Sequence, residues 1–461
     1  MKLCVLGGTG ARSAFLTKSL AASAASIGVD ELVLMDTDER HLKTYGAIAV
    51  EIAARIHPGL RCSVTSSAEE ALSGADYVIT TIRAGGDAGR VFDERTCLDH
   101  GVLGQETTGA GGFAMALRSV PTLLSYCALA KRVANPGHLI FNFTNPSGII
   151  TQALRSQGYQ NVYGICDAPS GFIRQLEEIL GVRTGELEID CYGLNHYSFF
   201  RNASVHGRSV QRELLENPEL YTRSEMRLFT PEQVELNDGC LLNEYLYFYY
   251  SRALSLERLR QAKETRGETI RRINRALEEE LNTLTLPQEI DRAFSLYMRA
   301  YAERENAYFS IESGQRREKV WVPPTLDEFI ASPDEGGYAA VALRFIRAAR
   351  GGEPCRMVLS VPNNGAICGL ADDDVVEITC VIDREGAHPI SIGEISPFQL
   401  QQIQRIKSFE RGTIKAILGH SEAEAARALY LHPLVNDLKI ATDLAAAFFR
   451  QYDRYLTLDL A

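Results

Sequence analysis

Short apolar runs alternate with segments of helical periodicity through the N-terminal part of the chain. Residues 2–6, 31–35, 76–82 and 138–143 are apolar runs of the length expected for strands buried on both faces. Residues 14–27, between the first two runs, carry the apolar periodicity of a helix. Because strands alternate with helices, the pattern predicts an α/β protein built on a Rossmann-type doubly wound parallel sheet.

A glycine-rich turn follows the first predicted strand, and an acid follows the second. The glycines allow the backbone to approach a pyrophosphate at the N-terminus of the next helix. The acid can hold ribose hydroxyls, which favours NAD over NADP. The spacing departs from GxGxxG because Ser13 replaces the last glycine, so a doubly wound fold without a nucleotide is the alternative. The cofactor candidates are Gly7, Gly8, Gly10, Asp36 and Thr81.

The second half of the chain has a different character. Residues 211–310 are dominated by helical segments, and residues 357–361 and 375–382 predict two antiparallel strands. We therefore expect a C-terminal α+β domain of the kind found in lactate and malate dehydrogenases. It would carry the substrate, catalytic and oligomer contacts. The predicted domains are residues 1–195 for NAD binding and residues 196–461 for these functions.

Composition narrows the possible partners. The 461 residues carry a net charge of −11, which argues against non-specific binding to nucleic acid. The ten cysteines form no CxxC pair, and Met1 leads directly into a predicted strand, leaving no room for a signal peptide. No apolar run was expected to approach the ~20 residues of a membrane span. The sequence thus predicts a cytoplasmic protein with reduced thiols and no membrane partner.

Candidate chemistry is concentrated between residues 142 and 196. Three short polar motifs follow apolar runs there, at residues 142–148, 164–169 and 193–196. Cys166 and His196 are candidate metal ligands, although a buried thiol and a core histidine are the alternatives. Arg83 ends another predicted strand, where a side chain enters the ligand crevice. A malate- or lactate-type dehydrogenase would show an Asp–His pair and two substrate arginines, and no compelling Asp–His pair is evident in the sequence.

Taken together, these motifs resemble glycoside hydrolase family 4, and the 6-phospho-β-glucosidase branch of that family most of all. The resemblance extends over nearly the whole chain, and the motifs occur in one order. They are Gly7-Gly-Thr-Gly10, Arg83-Ala-Gly-Gly86, Asp93-Glu-Arg95, Gly104-Gln-Glu-Thr107, Thr144-Asn-Pro-Ser-Gly148, Gly164-Ile-Cys166, Gly193-Leu-Asn-His196, Asn363-Asn-Gly-Ala-Ile367 and His432-Pro-Leu-Val435.

The resemblance implies an NAD-assisted glycosidase that needs Mn²⁺. In this family the sugar is oxidised at C3, a base removes the C2 proton, and the aglycon leaves from C1. Hydration and reduction then regenerate the cofactor. Cys166 and His196 would bind the metal, and the sugar oxygens O2 and O3 would complete its ligands. The substrate would be a small glycoside, and family members are usually homodimers or homotetramers.

The same resemblance assigns roles to further residues. The base would be a tyrosine, and Tyr245 is selected from four tyrosines within residues 244–250. Asn145 would hold sugar hydroxyls, unless it only forms an Asn-Pro turn. Arg83, Asp93 and Arg95 would bind the substrate, with a structural ion pair as the alternative for Arg83. Arg258 and Arg260 are further cations of the helical region that the sequence does not rank.

Two departures from the family pattern leave the substrate open. Asp167 follows the metal cysteine, where the β-specific branch typically carries Asn. The 6-phospho-α-glucosidase branch carries Asp, which can protonate the leaving oxygen, so Asp167 is a second catalytic candidate. Arg12 lies where 6-phospho enzymes often carry a different turn. It would contact a phosphate or the pyrophosphate, or else indicate a substrate without a 6-phosphate.

Two other functions remain as alternatives at this point. An NAD-dependent dehydrogenase of the malate or lactate type would oxidise its substrate and release NADH. A non-catalytic NAD-binding protein would bind the cofactor without turnover. The two are distinguished from a glycosidase by whether glycoside cleavage occurs and whether NADH accumulates.

Overall fold

A nine-stranded mixed sheet forms the centre of the protein in the computed structural model, which describes residues 1–314, 321–334 and 338–457. The first six strands are parallel and lie in the order 3-2-1-4-5-6. This is the order of the dinucleotide-binding doubly wound fold, and it confirms the predicted fold class. These strands are Lys2–Leu6 (β1), Glu31–Met35 (β2), Arg61–Thr65 (β3), Tyr77–Thr80 (β4), Leu139–Asn142 (β5) and Val162–Gly164 (β6).

Three later strands extend the same sheet beyond β6. Cys355–Pro362 (β11) pairs antiparallel with β6, and Val375–Asp383 (β12) and Gly386–Pro389 (β13) follow in antiparallel order. Ser360 lies opposite Gly164 at the junction. A Cβ on Gly164 would be 2.6 Å from the Cβ of Ser360, so the junction requires glycine. The two predicted antiparallel strands are β11 and β12, extended by a few residues.

A smaller antiparallel sheet packs beside this one. Leu187–Leu194 (β7) and Tyr197–Val205 (β8) form a hairpin, to which Arg208–Ser209 (β9) and Leu241–Leu242 (β10) add short strands. The predicted domain boundary between residues 195 and 196 falls in the turn of this hairpin. The division into two domains therefore stays a prediction.

Helices cover both faces of the central sheet and form most of the region after β10. Residues 39–56 form two helices that meet at Thr44. The helices are Ser13–Ile27 (α1), Glu39–Lys43 (α2), Tyr45–Ile56 (α3), Ala68–Leu72 (α4), Gly86–Asp99 (α5), Gly109–Val133 (α6), Ser147–Ser156 (α7), Asp167–Leu180 (α8), Gln211–Glu216 (α9), Leu220–Arg223 (α10), Pro231–Glu235 (α11), Leu246–Tyr250 (α12), Arg252–Gln261 (α13), Arg266–Leu281 (α14), Ile290–Asn306 (α15), Ser310–Ser313 (α16), Leu326–Ala331 (α17), Tyr338–Ala349 (α18), Pro397–Leu418 (α19), Glu422–Leu431 (α20) and Leu438–Leu456 (α21), with a short 3-10 helix at Glu225–Leu228.

The central sheet is buried on both sides, as its continuous apolar strands predict. Leu3 and Val5 of β1 pack into one hydrophobic cluster, and Cys4 and Leu6 pack into a second cluster. Helix α6 belongs to the second cluster. It is the one helix among the described residues that is long and apolar enough to cross a membrane, contrary to the expectation from sequence. Of its most apolar window 72% is buried inside the fold, as in the core helix of a globular protein.

Candidate active site

The carboxyl ends of the parallel strands open into a cavity of about 1130 Å³. Residues that follow five different strands line it, because parallel strands end at the same edge of a sheet. This volume slightly exceeds that of ordinary small-molecule pockets, so the cavity has room for a dinucleotide and a second small molecule. The lining residues that follow strand ends are Gly7, Asp36, Thr81, Asn145 and Cys166.

The glycine turn at one end of the cavity has the geometry of a dinucleotide-binding loop. Gly7 has φ of 82°, and a Cβ there would lie 2.8 Å from the backbone of Thr81. Only glycine fits such a position. The N–H groups of Gly7 and Gly8 donate to the carbonyl of Met35, which holds the turn beside the end of β2. Gly8 and Gly10 line the cavity as well, and helix α1 starts directly after this turn.

Asp36 lies at the end of β2, beside the glycine turn. Its carboxylate accepts a hydrogen bond from the hydroxyl of Thr9 at 2.8 Å and another from the N–H of Asp38 at 3.2 Å. Asp36 also lines the cavity, so the carboxylate is held where ribose hydroxyls would lie. The residues present fit a dinucleotide.

Cys166 and His196 come together in the lining of the same cavity. Cys166 precedes helix α8, and His196 lies in the β7–β8 turn with φ of 63°. The Cys166 Sγ and the His196 Nε2 are 3.9 Å apart. Two ligands of one ion are separated by roughly 3 to 4 Å, since each lies about 2.0–2.3 Å from the ion. The pair can therefore hold a single metal ion.

The charges around this pair also suit a metal. Burial lowers the pKa of His196 to about 3, so the imidazole is neutral and its nitrogen is free to ligate. Burial raises the pKa of the Cys166 thiol well above its usual value, and Asp167 and Glu377 add to this effect. A bound cation would reverse that shift and stabilise the thiolate.

Cys166 and His196 are the two donors that the described part of the chain brings together here. Within residues 1–314, 321–334 and 338–457, no group of three or more His, Cys, Asp or Glu side chains is arranged to hold a metal ion. The remaining positions around an ion at Cys166 and His196 would thus be open to oxygen atoms of a ligand or of water. Oxygen ligands make a hard ion such as manganese suitable where the protein pair alone would favour zinc.

Tyr245 is the one member of the tyrosine cluster that lines the cavity. Its ring stacks on the imidazole of His196, with 3.8 Å between centroids and 11° between planes. The other three side chains are directed elsewhere: the Tyr247 hydroxyl donates to the carbonyl of Glu312, the Tyr249 hydroxyl lies 3.4 Å from His432, and the Tyr250 hydroxyl donates to Asn237.

A further tyrosine lies next to Tyr245 in the cavity and was not predicted from the sequence. Tyr308, in the turn after α15, donates a hydrogen bond to the Glu244 carboxylate at 2.8 Å, and its hydroxyl lies 3.4 Å from that of Tyr245. Burial raises the pKa of Tyr245 well above its usual value, and the charge of Glu244 raises it further. The Tyr245 phenolate therefore forms near neutral pH only if a cation is bound close to it.

A group of arginines also lines the cavity. Arg83, as predicted from its place after β4, lines the cavity, where it pairs with Glu106. Arg90 reaches the same carboxylate at 3.1 Å and Glu94 at 2.8 Å. Burial opposes ionisation of Glu106, but Arg83 and Arg90 outweigh it and hold the pKa of this carboxyl far below its usual value.

Arg266 and Arg304 add further positive charge to this side of the cavity. The Arg266 Nη2 donates to the carbonyl of Arg304 at 2.7 Å. Its Nη1 is buried and has no hydrogen-bond partner within the described part of the chain. Burial, followed by the charge of Arg12, lowers the pKa of Arg304 to about 10. Neighbouring cations and an unpartnered buried donor are features of an anion-binding site.

Arg12 and Asp167 connect the glycine turn to the Cys166 region. The Arg12 Nη1 lies 3.5 Å from the Asp167 carboxylate, and its Nη2 lies 3.8 Å from Glu305. Burial raises the pKa of Asp167 above its usual value, although Arg12 partly opposes this shift. Both Arg12 and Asp167 line the cavity, so each keeps its predicted place beside the ligands.

Two predicted substrate contacts, Asp93 and Arg95, lie outside the cavity. Asp93 is buried in an ion pair with Arg118 at 2.8 Å, and it accepts a further hydrogen bond from Tyr452. Arg95 pairs with Glu268 near the surface. The structure corrects this prediction, because Asp93 and Arg95 have structural partners away from the site. Their neighbours on the same helix, Arg90 and Glu94, line the cavity instead.

Most of the chain matches two described protein-family domains. Residues 2–182 match the family described as "Family 4 glycosyl hydrolase", and residues 191–435 match the "Family 4 glycosyl hydrolase C-terminal domain". The chain belongs to family 4 of the glycosyl hydrolases. The resemblance inferred from the motifs is confirmed, and the protein is a glycoside hydrolase. Neither of the other two functions considered from the sequence describes it.

Individual relatives agree with this assignment. The 6-phospho-beta-glucosidase BglT of Thermotoga maritima is 29% identical over 463 residues, which cover 99% of this chain and 100% of the relative. A structure of the 6-phospho-beta glucosidase from Thermotoga maritima with manganese, NAD+ and glucose-6-phosphate superposes with a TM-score of 0.80, at 29% identity, and covers 100% of both chains.

The fold is shared more widely than the chemistry. A malate dehydrogenase from Naegleria fowleri superposes with a TM-score of 0.50 at 12% identity, covering 90% of this chain and 98% of the other. That likeness confirms the dehydrogenase-like fold and implies nothing about the reaction. The reaction has to be argued from the residues in the cavity.

Proposed function

We propose that this glycosidase hydrolyses 6-phosphoglycosides with NAD and Mn²⁺ as cofactors. The observation that carries the proposal is the stack of Tyr245 on His196, beside Cys166, in the same cavity as the glycine turn. One cavity thus combines a dinucleotide loop, a two-ligand metal site and a tyrosine. A relative of known structure, the enzyme from Thermotoga maritima, binds NAD+ and manganese, which supports the same cofactors here.

The cofactors would supply a hydride acceptor and a Lewis acid when bound. The residues of the chain divide the remaining work. Cys166 and His196 would hold the ion, and the amide of Asn145, which follows β5, would position sugar hydroxyls. Tyr245 would remove the C2 proton as a general base, and a cation held by the neighbouring His196 would lower its pKa. Asp167 would protonate the oxygen of the leaving group, and burial, which raises its pKa, makes it a weaker acid than a free aspartate.

A 6-phosphate is favoured by the arginines that line the cavity. Arg83 and Arg90 are already paired with Glu106, whereas the Nη1 of Arg266 has no partner within the described residues. A phosphate oxygen would satisfy that donor and balance the charge of Arg304 nearby. Arg258 is a poorer candidate, because its Nη1 already bonds the carbonyls of Glu312 and Ser313. The Thermotoga maritima relative was solved with glucose-6-phosphate, which supports this substrate class.

The β anomer is the more strongly supported of the two. Relatedness to BglT over the full chain favours a 6-phospho-β-glucoside. Asp167 is the feature in favour of a 6-phospho-α-glucoside, because a carboxyl acid at this place suits an alkoxide leaving group. Elimination from an oxidised sugar does not require inversion at C1 in a single displacement. One scaffold can therefore process either anomer.

The test is a substrate panel of nitrophenyl α- and β-glucosides, each with and without a 6-phosphate, in NAD, Mn²⁺ and a thiol reductant. We expect nitrophenol release from the 6-phospho-β-glucoside without net formation of NADH. Cleavage of the unphosphorylated glucosides alone would overturn the phosphate assignment. NADH accumulation without nitrophenol would overturn the proposed chemistry. Chelation with EDTA and the Cys166→Ser variant should each abolish turnover.

We also propose that the enzyme is a cytoplasmic homodimer or homotetramer. Leu236 is 70% exposed and Leu254 is 43% exposed, and both belong to the helical region after β10. Large apolar side chains exposed on one region support a contact between subunits there. Light scattering at several protein concentrations measures the oligomeric state, and a concentration-independent monomer mass contradicts the proposal.

A further inference from the structure

A buried carboxylate lies behind the Cys166–His196–Tyr245 group without lining the cavity. Glu377, on strand β12, is 1% exposed. One carboxylate oxygen accepts from the Asn195 amide at 2.9 Å, and the other accepts from the Ser198 hydroxyl at 2.7 Å. Among the residues the structure describes, no Lys, Arg or His lies within 4.0 Å of this carboxylate. Neutral donors alone satisfy it.

The two donors belong to the turn that carries His196. Asn195 precedes His196, and Ser198 is the second residue after it, at the start of β8. His196 has φ of 63°, a conformation that non-glycine residues adopt only when their surroundings enforce it. The Glu377 carboxylate accepts hydrogen bonds from residues on both sides of His196. It thereby fixes the turn that directs the imidazole into the cavity.

A second branch reaches Tyr245. The Asn243 amide donates to the Ser198 hydroxyl at 3.1 Å, and the Asn243 side-chain oxygen accepts from the N–H of Tyr245 at 3.0 Å. Ser198 and Asn243 are both buried, at 0% and 3% exposed. The route from Glu377 to the backbone of Tyr245 is therefore a continuous chain of hydrogen bonds with no solvent between its members.

We propose that Glu377 is a positioning residue that aligns His196 and Tyr245 through its hydrogen bonds to Asn195 and Ser198, while it hydrogen-bonds directly to neither of the two. The proposal rests on the proposed function, because it assumes a metal ion at Cys166 and His196. A carboxylate buried without a cationic partner is costly, and a link between strands could be made more cheaply by an apolar residue. The position of Glu377 at the junction of these hydrogen bonds fits a role in alignment.

The test compares metal binding with cofactor binding in one set of variants. Glu377→Leu removes both acceptor oxygens, and Glu377→Gln keeps one. Titration with Mn²⁺ alone, followed by the electron paramagnetic resonance of the free ion, should show an affinity about 10–100-fold weaker for Glu377→Leu. An intermediate loss is expected for Glu377→Gln. NAD affinity, measured by fluorescence, should stay within about twofold of the parent protein, because the glycine turn is separate from this network.

A matched control is Glu177→Leu, which removes another buried carboxylate that accepts from a backbone N–H, that of Gly185. It should leave Mn²⁺ affinity unchanged. If Glu377→Leu does not fold, Ser198→Ala replaces it: this variant cuts the branch to Tyr245 and one of the two hydrogen bonds that hold the His196 turn. It should lower kcat about tenfold or more, with a smaller loss of Mn²⁺ affinity than the one expected for Glu377→Leu.

Each of these results supports or overturns the positioning role of Glu377. Unchanged Mn²⁺ affinity in a folded Glu377→Leu variant overturns the proposal, as does an equal loss of Mn²⁺ and NAD affinity, which indicates a general structural role. An unchanged kcat in Ser198→Ala also overturns it. Failure of the proposed function looks different: the parent protein would then bind Mn²⁺ no better than Cys166→Ser, and the alignment role would fall with the metal site.

Discussion

The ring of Tyr245 lies flat on the imidazole of His196, with centroids 3.8 Å apart. The proposed base and the proposed metal ligand are thus in direct contact. A cation bound to His196 would lie close to the phenol and oppose the effect of burial, which raises the pKa of Tyr245. The metal would therefore activate the base in addition to acidifying the substrate.

Tyr245→Phe tests this arrangement. General-base catalysis contributes about 10²–10⁴-fold, so kcat should fall by that factor while NAD and Mn²⁺ affinities persist. Steady-state kinetics and direct titrations measure the two effects. Tyr250→Phe is the control, since its hydroxyl bonds Asn237 away from the cavity and should leave kcat unchanged. Equal kcat values in the two variants would mean that another group is the base.

Asp167→Asn tests the assignment of the acid. Protonation of the leaving oxygen matters most when the alcohol is a poor leaving group, so methyl 6-phosphoglucosides should lose about 10²–10⁴-fold in kcat. Nitrophenyl substrates, whose leaving groups need little protonation, should lose far less. Kinetics on both substrates with one enzyme preparation give the ratio. A uniform loss would instead assign Asp167 to the positioning of Arg12.

Arg266→Gln tests the phosphate site. A charge-assisted hydrogen bond contributes about 1.5–3 kcal/mol, so kcat/KM for the 6-phosphorylated substrate should fall about 10–100-fold. Any activity on the unphosphorylated sugar should not change. Arg272→Gln, on the same helix, is the control because its side chain is 53% exposed and pairs with Glu264 and Glu303. A loss of the same size on both substrates would exclude a specific phosphate contact.

Asp93→Asn tests the structural role assigned to the buried pair. Removing one partner leaves the Arg118 guanidinium buried without its counter-charge, which costs about 3–5 kcal/mol. Urea denaturation should show this loss in the free energy of unfolding, whereas KM for the substrate should stay the same. A raised KM at unchanged stability would restore Asp93 as a substrate contact.

The positions at strand ends were accessible from the sequence. Gly7, Asp36, Asn145 and Cys166 each follow a short apolar run, and in parallel strands those ends share one edge. Local pattern and the parallel order together were therefore enough to predict the glycine turn, the acid and the cysteine. The chemical roles of these individual residues are proposals.

Residues that reach the cavity from distant helices could not be predicted in this way. Arg266 and Tyr308 reach the cavity because α14 packs against α5 and α15, and no local pattern in the sequence indicates that packing. On helix α5 the sequence motif indicated the right helix but the wrong side chains. Arg90 and Glu94 are four residues apart and face the cavity, while Asp93 lies on the side that meets α6. A motif identifies a helix more reliably than it identifies which face carries the function.

The seam at Gly164 and Ser360 limits how this enzyme can be recombined with its relatives. The backbone of β6 touches β11 so closely that any side chain at residue 164 would displace the incoming strand. A chimera that takes its cofactor half from one family member and its substrate half from another must therefore match small residues along this seam. A larger residue at position 164 would separate β6 from β11 and so divide the sheet at this junction.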